Sequence, residues 1–375
     1  MAAVYFHYPF CKQACHYCNF HFSTSLRKSD LMIAAMLKEL NLRSSELNSS
    51  ITSIYFGGGS PSLMRAPALA AFLEVLSRFE WAADIEITVE VNPDDVTAAY
   101  LSELKSLGVN RLSVGIQSFH QKDLILMNRA HDSTQALNAL ELIAAQFENF
   151  SLDLIYGMPQ STPEEWHANV QRALSINPPH ISAYALTVEE KTTLHHWVEK
   201  AKVILLDESA VEAQYHYLVA ILEEKGFDNY EFSNFGKPNF YSKNNTNYWL
   251  GGAYVGIGPS AHSYDGAKIR SWNVSNNPSY LKSMTEGILP MTSERLKKND
   301  RFNEYIMTGL RTQWGVSLDR IRSDWGDRYA VYLEKQAEKH LTNHQLFWDG
   351  DQLKISKSAR FLTDGLAADF FLIDF

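Results

Sequence analysis

Three cysteines stand within eight residues, Cys11-Lys12-Gln13-Ala14-Cys15-His16-Tyr17-Cys18, and the 375-residue chain has no others. Disulfide pairing leaves one thiol over, and so tight a C-x3-C-x2-C loop has poor geometry for bridging within itself. Three soft thiolates offered from one loop suit an iron–sulfur cluster or zinc. A closed structural zinc site takes four protein ligands, so a Cys3His site would have to draw on His7, His16 or His21. Buried inert thiols are a third reading, because free cysteine is often a small core hydrophobe, but burial alone does not call for this spacing. A four-iron cluster on three cysteines leaves one iron open to a small molecule, which is what a reactive centre requires.

Such a loop must be held by regular elements, and β-rich runs alternate with helical stretches as far as about residue 225. The strand candidates are Val4–Tyr8, Ser53–Phe56, Ile85–Val91, Arg111–Gln117, Ser151–Tyr156 and His180–Leu186. Thr162-Pro163-Glu164-Glu165 reads as a helix start with a cap, a first-turn proline and a capping-box glutamate. Thr97 and Gly108 bracket a helix over Ala98–Leu107. Six β–α units in succession predict parallel strands with right-handed crossovers, an α/β fold too short to close an eight-stranded barrel. Parallel strands carry their chemistry at their carboxyl ends. The cysteine loop follows the first strand, Gly57-Gly58-Gly59-Ser60-Pro61-Ser62 follows the second, and Glu90, Asn92, Gln117 and Tyr184 fall at or near later strand ends. Asp153 sits inside the fifth strand, where an acidic side chain is costly unless paired.

The remainder divides in two. Residues 227–289 are rich in Asn, Gly and aromatics and are expected to close the barrel edge or cover a ligand. Residues 290–375 read as three helices and a hairpin about Asp349-Gly350-Asp351, a small winged-helix-like α+β unit, leaving 1–226 as the partial barrel. Lys plus Arg (34) fall short of Asp plus Glu (43), for a net charge of −9; residues 291–375 carry thirteen of each. Nucleic acid and anionic membranes both require clustered cations, so neither is expected as a partner. No run approaches the length of a membrane span, no signal peptide is apparent, and thiols kept as metal ligands fit a reducing compartment; the expectation is cytoplasm.

Tyr5-Phe6-His7-Tyr8-Pro9-Phe10-Cys11-x3-Cys15-His16-Tyr17-Cys18-Asn19-Phe20 resembles the opening signature of the radical SAM (S-adenosylmethionine) superfamily. It is most similar to the branch holding the oxygen-independent coproporphyrinogen III dehydrogenases and the HemW-type heme chaperones. The likeness continues through Gly57–Ser62, Glu90-Val91-Asn92-Pro93, Gly115–Phe119, Asn128-Arg129, Asp153–Pro159 and Gly256–His262. It implies an open (β/α)6 barrel with a [4Fe–4S] cluster on Cys11, Cys15 and Cys18. It further implies a SAM site drawn from Tyr5, Tyr17, Gly58, Gly59, Ser60, Glu90, Gln117, Arg129, Asp153, Ala185 and His262. An electron donor, heme or a porphyrinogen, and a homodimer are the partners that the resemblance brings.

Two features favour the chaperone side of that branch. The dehydrogenase signature continues to a fourth cysteine where this chain has Phe20, and its N-terminal extension is longer. The chaperones usually show His-Asn-x-x-Tyr-Trp after the barrel; here Asn244-Asn245-Thr246-Asn247-Tyr248-Trp249 keeps Asn245, Tyr248 and Trp249 as candidate heme contacts and replaces the histidine. An amide does not ligate heme iron as imidazole does, so His262 or the His195-His196 pair would have to serve. The alternatives are a coproporphyrinogen III oxidase acting by SAM-dependent radical decarboxylation, and, from another class, a zinc-stabilised interaction protein.

Overall fold

The computed structural model of the chain describes residues 2–373. Six parallel strands follow one another across the centre of one sheet: β1 Ala2–Tyr8, β2 Ile51–Gly58, β3 Trp81–Val91, β4 Arg111–Gln117, β5 Phe150–Tyr156 and β6 His180–Ala185. Each lies within four residues of its sequence expectation at either end. Their apolar residues (Val4, Phe6, Ile54, Phe56, Val89, Leu112, Val114, Leu152, Leu154, Ile181) are buried under the intervening helices. This is the parallel-sheet condition, in which the helix-covered face must be Val/Ile/Leu-rich. The expected helix starts are present. Thr162 and Glu165 form a reciprocal capping box with Pro163 in the first turn, and Thr97 caps Ala98–Ser106.

Residues 227–289 form no layer of their own. They extend the same sheet at both edges. The hairpin β7 Asp228–Glu231 and β8 Asn234–Gly236 pairs antiparallel onto β6. At the opposite edge, β9 Ala253–Ile257 runs parallel to β1, and β10 His262–Tyr264 and β11 Ile269–Asn273 continue antiparallel; β12 Met291–Arg295, beyond the 289 boundary drawn from sequence, completes twelve strands in all. β9 is thus a seventh parallel strand that the sixfold sequence pattern did not contain. A buried ionic network ties this edge to the helix Ser29–Leu42. Arg43 donates to the Gly256 carbonyl (2.7 Å) and the Ser263 hydroxyl (2.9 Å), while Glu39 accepts from Gly258 N–H (2.9 Å) and Asn273 (2.7 Å). Fully paired buried charges of this kind are tolerated only as a complete set.

A second core gathers Phe302, Ile306, Leu310, Ile321, Leu333, Leu353 and Phe370. It lies under helices Lys298–Leu310, Leu318–Trp325 and Asp327–Thr342 and a three-stranded antiparallel sheet of β13 Val316–Ser317, β14 Leu346–Asp349 and β15 Gln352–Ile355. Asp349-Gly350-Asp351 makes the hairpin turn, with Gly350 at φ +63°, the left-handed conformation that glycine adopts without a Cβ penalty. No helix among the described residues is long and apolar enough to cross a membrane.

Candidate functional site

The carboxyl ends of β1–β6 open on a cavity of about 560 Å³. The cysteine loop leaves β1 and is tied down along its length by backbone bonds. Cys11 N–H donates to Ser23 O (3.1 Å), His16 N–H to Met127 O (3.0 Å), and Leu194 N–H to His16 O (2.8 Å). Asn128, in the left-handed region at φ +56°, donates to Ala14 O (2.8 Å) and accepts from Gln13 (2.6 Å). All three cysteines are half-buried and line the cavity. Burial pushes the Cys11 thiol up to about 11, partly offset by a hydrogen bond with Ser60, and burial also raises Cys18. Thiolates so placed call for a metal to hold their charge.

The donor set bears on the form of that metal: a closed zinc site takes a fourth protein ligand, and a four-iron cluster on three thiolates does not. The histidines that a zinc site would need are engaged elsewhere. His7 contacts Tyr5 Oη (3.2 Å) and His21 O (2.9 Å), His16 Nδ1 meets Leu126 O (2.8 Å), and His21 Nε2 meets Asn277 (2.7 Å). The residues present fit the cluster better than zinc.

Beside the cysteines, the triple glycine passes close to β1. Gly59 N–H donates to Tyr8 O (2.8 Å) and Ser60 N–H to Phe10 O (2.7 Å). A Cβ on Gly59 would lie 2.5 Å from the Phe10 carbonyl oxygen, and one on Gly58 (φ +107°) would meet the His7 ring at 2.7 Å. Only glycine permits that approach. Glu90 accepts from Tyr55 Oη (2.9 Å) and Gly58 N–H (3.2 Å). Burial drives its carboxyl up to about 7, and burial likewise lifts Asp153 to about 6 against hydrogen bonds from Ser182 and Ser113. Arg129 donates to Asn92 Oδ1 and Gly115 O, both at 2.7 Å, and reaches Cys15 Sγ at 3.5 Å. Asn92 in turn donates to Ser60 Oγ (2.7 Å). Two polar atoms of the lining lack a hydrogen-bond partner, Arg129 Nε and Asn244 Oδ1, and Arg111 Nε has only the Glu86 carboxylate at 3.8 Å. Buried donors and acceptors left open are expensive, and a polar ligand would satisfy them.

Of the sequence-predicted SAM residues, Tyr5, Tyr17, Gly58, Gly59, Ser60, Glu90, Gln117, Arg129, Asp153 and Ala185 all line this one cavity. Gln117 is turned into it by a left-handed backbone at φ +69°. His262 is not among the lining residues: it sits exposed on β10 with its ring stacked on Trp272. Of the candidate heme contacts, Asn245 and Tyr248 line the cavity and Trp249 does not. Trp249 instead carries the Arg311 guanidinium over its ring, 5.3 Å from the centroid. His195 is paired on its own helix with Glu199, and no histidine lines the cavity among the described residues. Asn92 and Tyr184, expected at strand ends, line it too; Tyr55, Arg111, Ser113 and Ser182 also line it, and sequence reasoning did not single them out as site residues. Their signal was parity: along β2 to β6 the polar residues recur at alternate positions, Arg111-Ser113-Gly115, Ser151-Asp153 and Ser182-Tyr184, which puts them on one face of the sheet.

The sequence pattern of the radical SAM superfamily matches residues 5–173. The heme chaperone HemW of Mycobacterium tuberculosis is 32% identical over 97% of this chain and 93% of its own length. The HemW of Escherichia coli is 35% identical over 82% of each. This chain belongs to the radical SAM superfamily, in its HemW family. Among solved structures, the coproporphyrinogen III oxidase HemN of Escherichia coli, a radical SAM enzyme, superposes with a TM-score of 0.83 over 99% of this chain and 90% of its own, at 21% identity. That likeness carries the fold. For a HemW-family chain, the radical SAM assignment implies SAM and a [4Fe–4S] cluster, and the cavity described above brings together the residues suited to both.

Proposed function

We propose that this chain is a heme chaperone: it holds a [4Fe–4S] cluster on Cys11, Cys15 and Cys18, binds SAM beside it, and carries heme for transfer to an acceptor hemoprotein. The observation that carries the reading is three half-buried thiols on one wall of a cavity that, among the described residues, offers no fourth thiol and no histidine. Held by those thiolates, a cluster would supply one-electron reduction and an iron open to SAM. The chain's own residues bind and orient. The backbone of Gly58–Ser60 gives SAM close approach to the strand ends, and Glu90 accepts from a ribose hydroxyl or an ammonium group. Arg129, braced by Asn92 and Gly115, neutralises thiolate charge at Cys15. Asn245 and Tyr248 give the cavity wall an amide and an aromatic ring for a larger ligand. An external electron donor, a homodimer and a cytoplasmic setting complete the proposal.

Phe20 separates this from the oxidase reading, because the dehydrogenase signature has a cysteine at that place. The oxidase remains the second reading, supported by the common fold. One paired experiment tests both: anaerobic reconstitution with iron and sulfide analysis, then hemin titration by absorbance alongside an assay for protoporphyrinogen with SAM and a reductant. The chaperone reading expects about four irons per chain, saturable hemin binding and no porphyrinogen product. Product formation without heme binding would replace it with the oxidase.

A further inference from the structure

One buried cation of the cavity wall has no part in the reading above. Arg111, at the start of β4, lines the cavity and is only 2% exposed. It stands opposite Thr88 of β3, and strand parity puts Glu86 two residues before that position and Glu90 two after it, all on one face of the sheet. On the other side Ser113 faces Ser151 of β5, and Asp153 follows on the same face. A buried guanidinium is costly unless paired and hydrogen-bonded. Arg111 Nε has no hydrogen bond, and its ion pair with Glu86 is long at 3.8 Å. Glu86 is also occupied as a cap, accepting from Lys243 N–H (3.0 Å) and Asn244 N–H (3.4 Å) at the start of the helix Lys243–Trp249. The guanidinium is therefore shared among three buried carboxylates, one behind it and two in the cavity.

The other groups around Glu90 and Asp153 leave that sharing intact. Arg129 is committed to Asn92, Gly115 and Cys15. His180 on β6 is kept neutral by burial and then by Arg111, and burial keeps Tyr5, Tyr55, Tyr184 and Tyr230 as phenols. Glu231 is taken up by Ser233 N–H and Asn234, and Cys18 senses the Glu90 charge from the cluster loop. Burial pushes Glu90 and Asp153 up, and Arg111 pulls both back.

Resting on the SAM reading above, we infer that Arg111 is a positioning residue for that cofactor: divided between Glu86 and the cavity acids, it is the counter-charge that lets Glu90 and Asp153 stand together as anions and receive the cationic groups of SAM. It acts through the two carboxylates and not by touching the ligand.

Equilibrium dialysis with SAM, on the reconstituted full chain between pH 6 and 8.5, tests this in wild type, Arg111→Gln, Arg111→Lys and Glu86→Gln. Wild type should lose affinity as pH falls from 7 to 6, where the two carboxyls take up protons. In Arg111→Gln the fall should begin about one pH unit higher, so that SAM binds about tenfold more weakly at pH 6.5 and the gap closes by pH 8.5. Arg111→Lys should follow wild type. Glu86→Gln keeps an oxygen to cap the helix and releases the guanidinium to the inner pair, so its fall should lie at lower pH than in wild type. Damage to the fold would weaken binding at every pH in both variants; profiles that run parallel to wild type overturn the proposal. If Arg111→Gln does not fold, Glu86→Gln decides alone, and a profile unmoved or moved upward overturns it. Wild-type protein that binds no SAM at any pH defeats the cofactor reading instead. The charge sharing is then read from the Tm of the cluster-free chain, which in Arg111→Gln should go on falling with pH about one unit further than in wild type; coincident curves overturn it.

Discussion

The guanidinium of Arg129 lies 3.5 Å from the sulfur of Cys15. The contact joins the cluster loop to the end of β4, because the same side chain donates to Asn92 Oδ1 and Gly115 O. Arg129→Gln would strip the charge from beside the thiolate and leave those two acceptors short of a donor, at a cost of about 1–3 kcal/mol for a buried group. The expected outcome is a lower Tm by calorimetry, together with weaker SAM binding by dialysis.

Cys15→Ala should abolish the cluster. Iron and sulfide per chain fall to near zero after anaerobic reconstitution, and the broad visible absorbance disappears with them. A full iron complement in that variant would contradict the ligand assignment.

Glu90 gives the cluster-free protein a pH dependence. Its carboxyl titrates near pH 7 in the folded chain because burial penalises the charge, and near 4.3 when unfolded. Between those values the folded state binds the extra proton. Stability from this group is therefore intact below about pH 4.3 and is lost as pH rises through 7, with a slope of at most about 1.4 kcal/mol per unit. Asp153, also raised by burial, adds to the same trend up to about pH 6. In Glu90→Gln the fall in Tm between pH 5 and 7.5 should be visibly shallower than in wild type.

Gly59→Ala tests the close approach of β1 and the glycine run. Its new Cβ would sit 2.5 Å from the Phe10 carbonyl oxygen and 2.9 Å from two further Phe10 backbone atoms. Backbone cannot yield as a flexible side chain does, so the loss should reach about 1–3 kcal/mol, read as a drop in the denaturation midpoint with unchanged m-value.

Trp249→Ala separates two roles for one residue. Its ring and that of Phe232 both hold Arg311, at 5.3 and 5.1 Å, which links the large sheet to the C-terminal unit. Losing one such contact should cost about 0.5–1 kcal/mol in thermal unfolding while hemin affinity holds steady. A large loss of hemin binding would return Trp249 to the heme site.

Much of this was legible in local sequence. Arg111–Gln117 is the same strand in sequence and structure, because apolar alternation and the flanking glycine and asparagine define it without help from elsewhere. Ten of the eleven expected SAM residues meet in one cavity, since residues at the ends of neighbouring parallel strands are forced onto one rim. What local pattern does not encode is long-range pairing. β9 joins β1 across some 250 residues, and its short Ala253–Ile257 run resembles any edge strand. The directions of Trp249 and His262 are set by Arg311 and Trp272, partners far away or on another strand.

The placement of β1 between β2 and β9 bears on how the protein is made. The strand that launches the cysteine loop is synthesised some 250 residues before the second of its two neighbours. Pairing across such a separation is slow and comes late in folding. Until residue 257 is made the loop hangs from a sheet edge with one neighbour missing, so metal loading should follow synthesis of the large sheet.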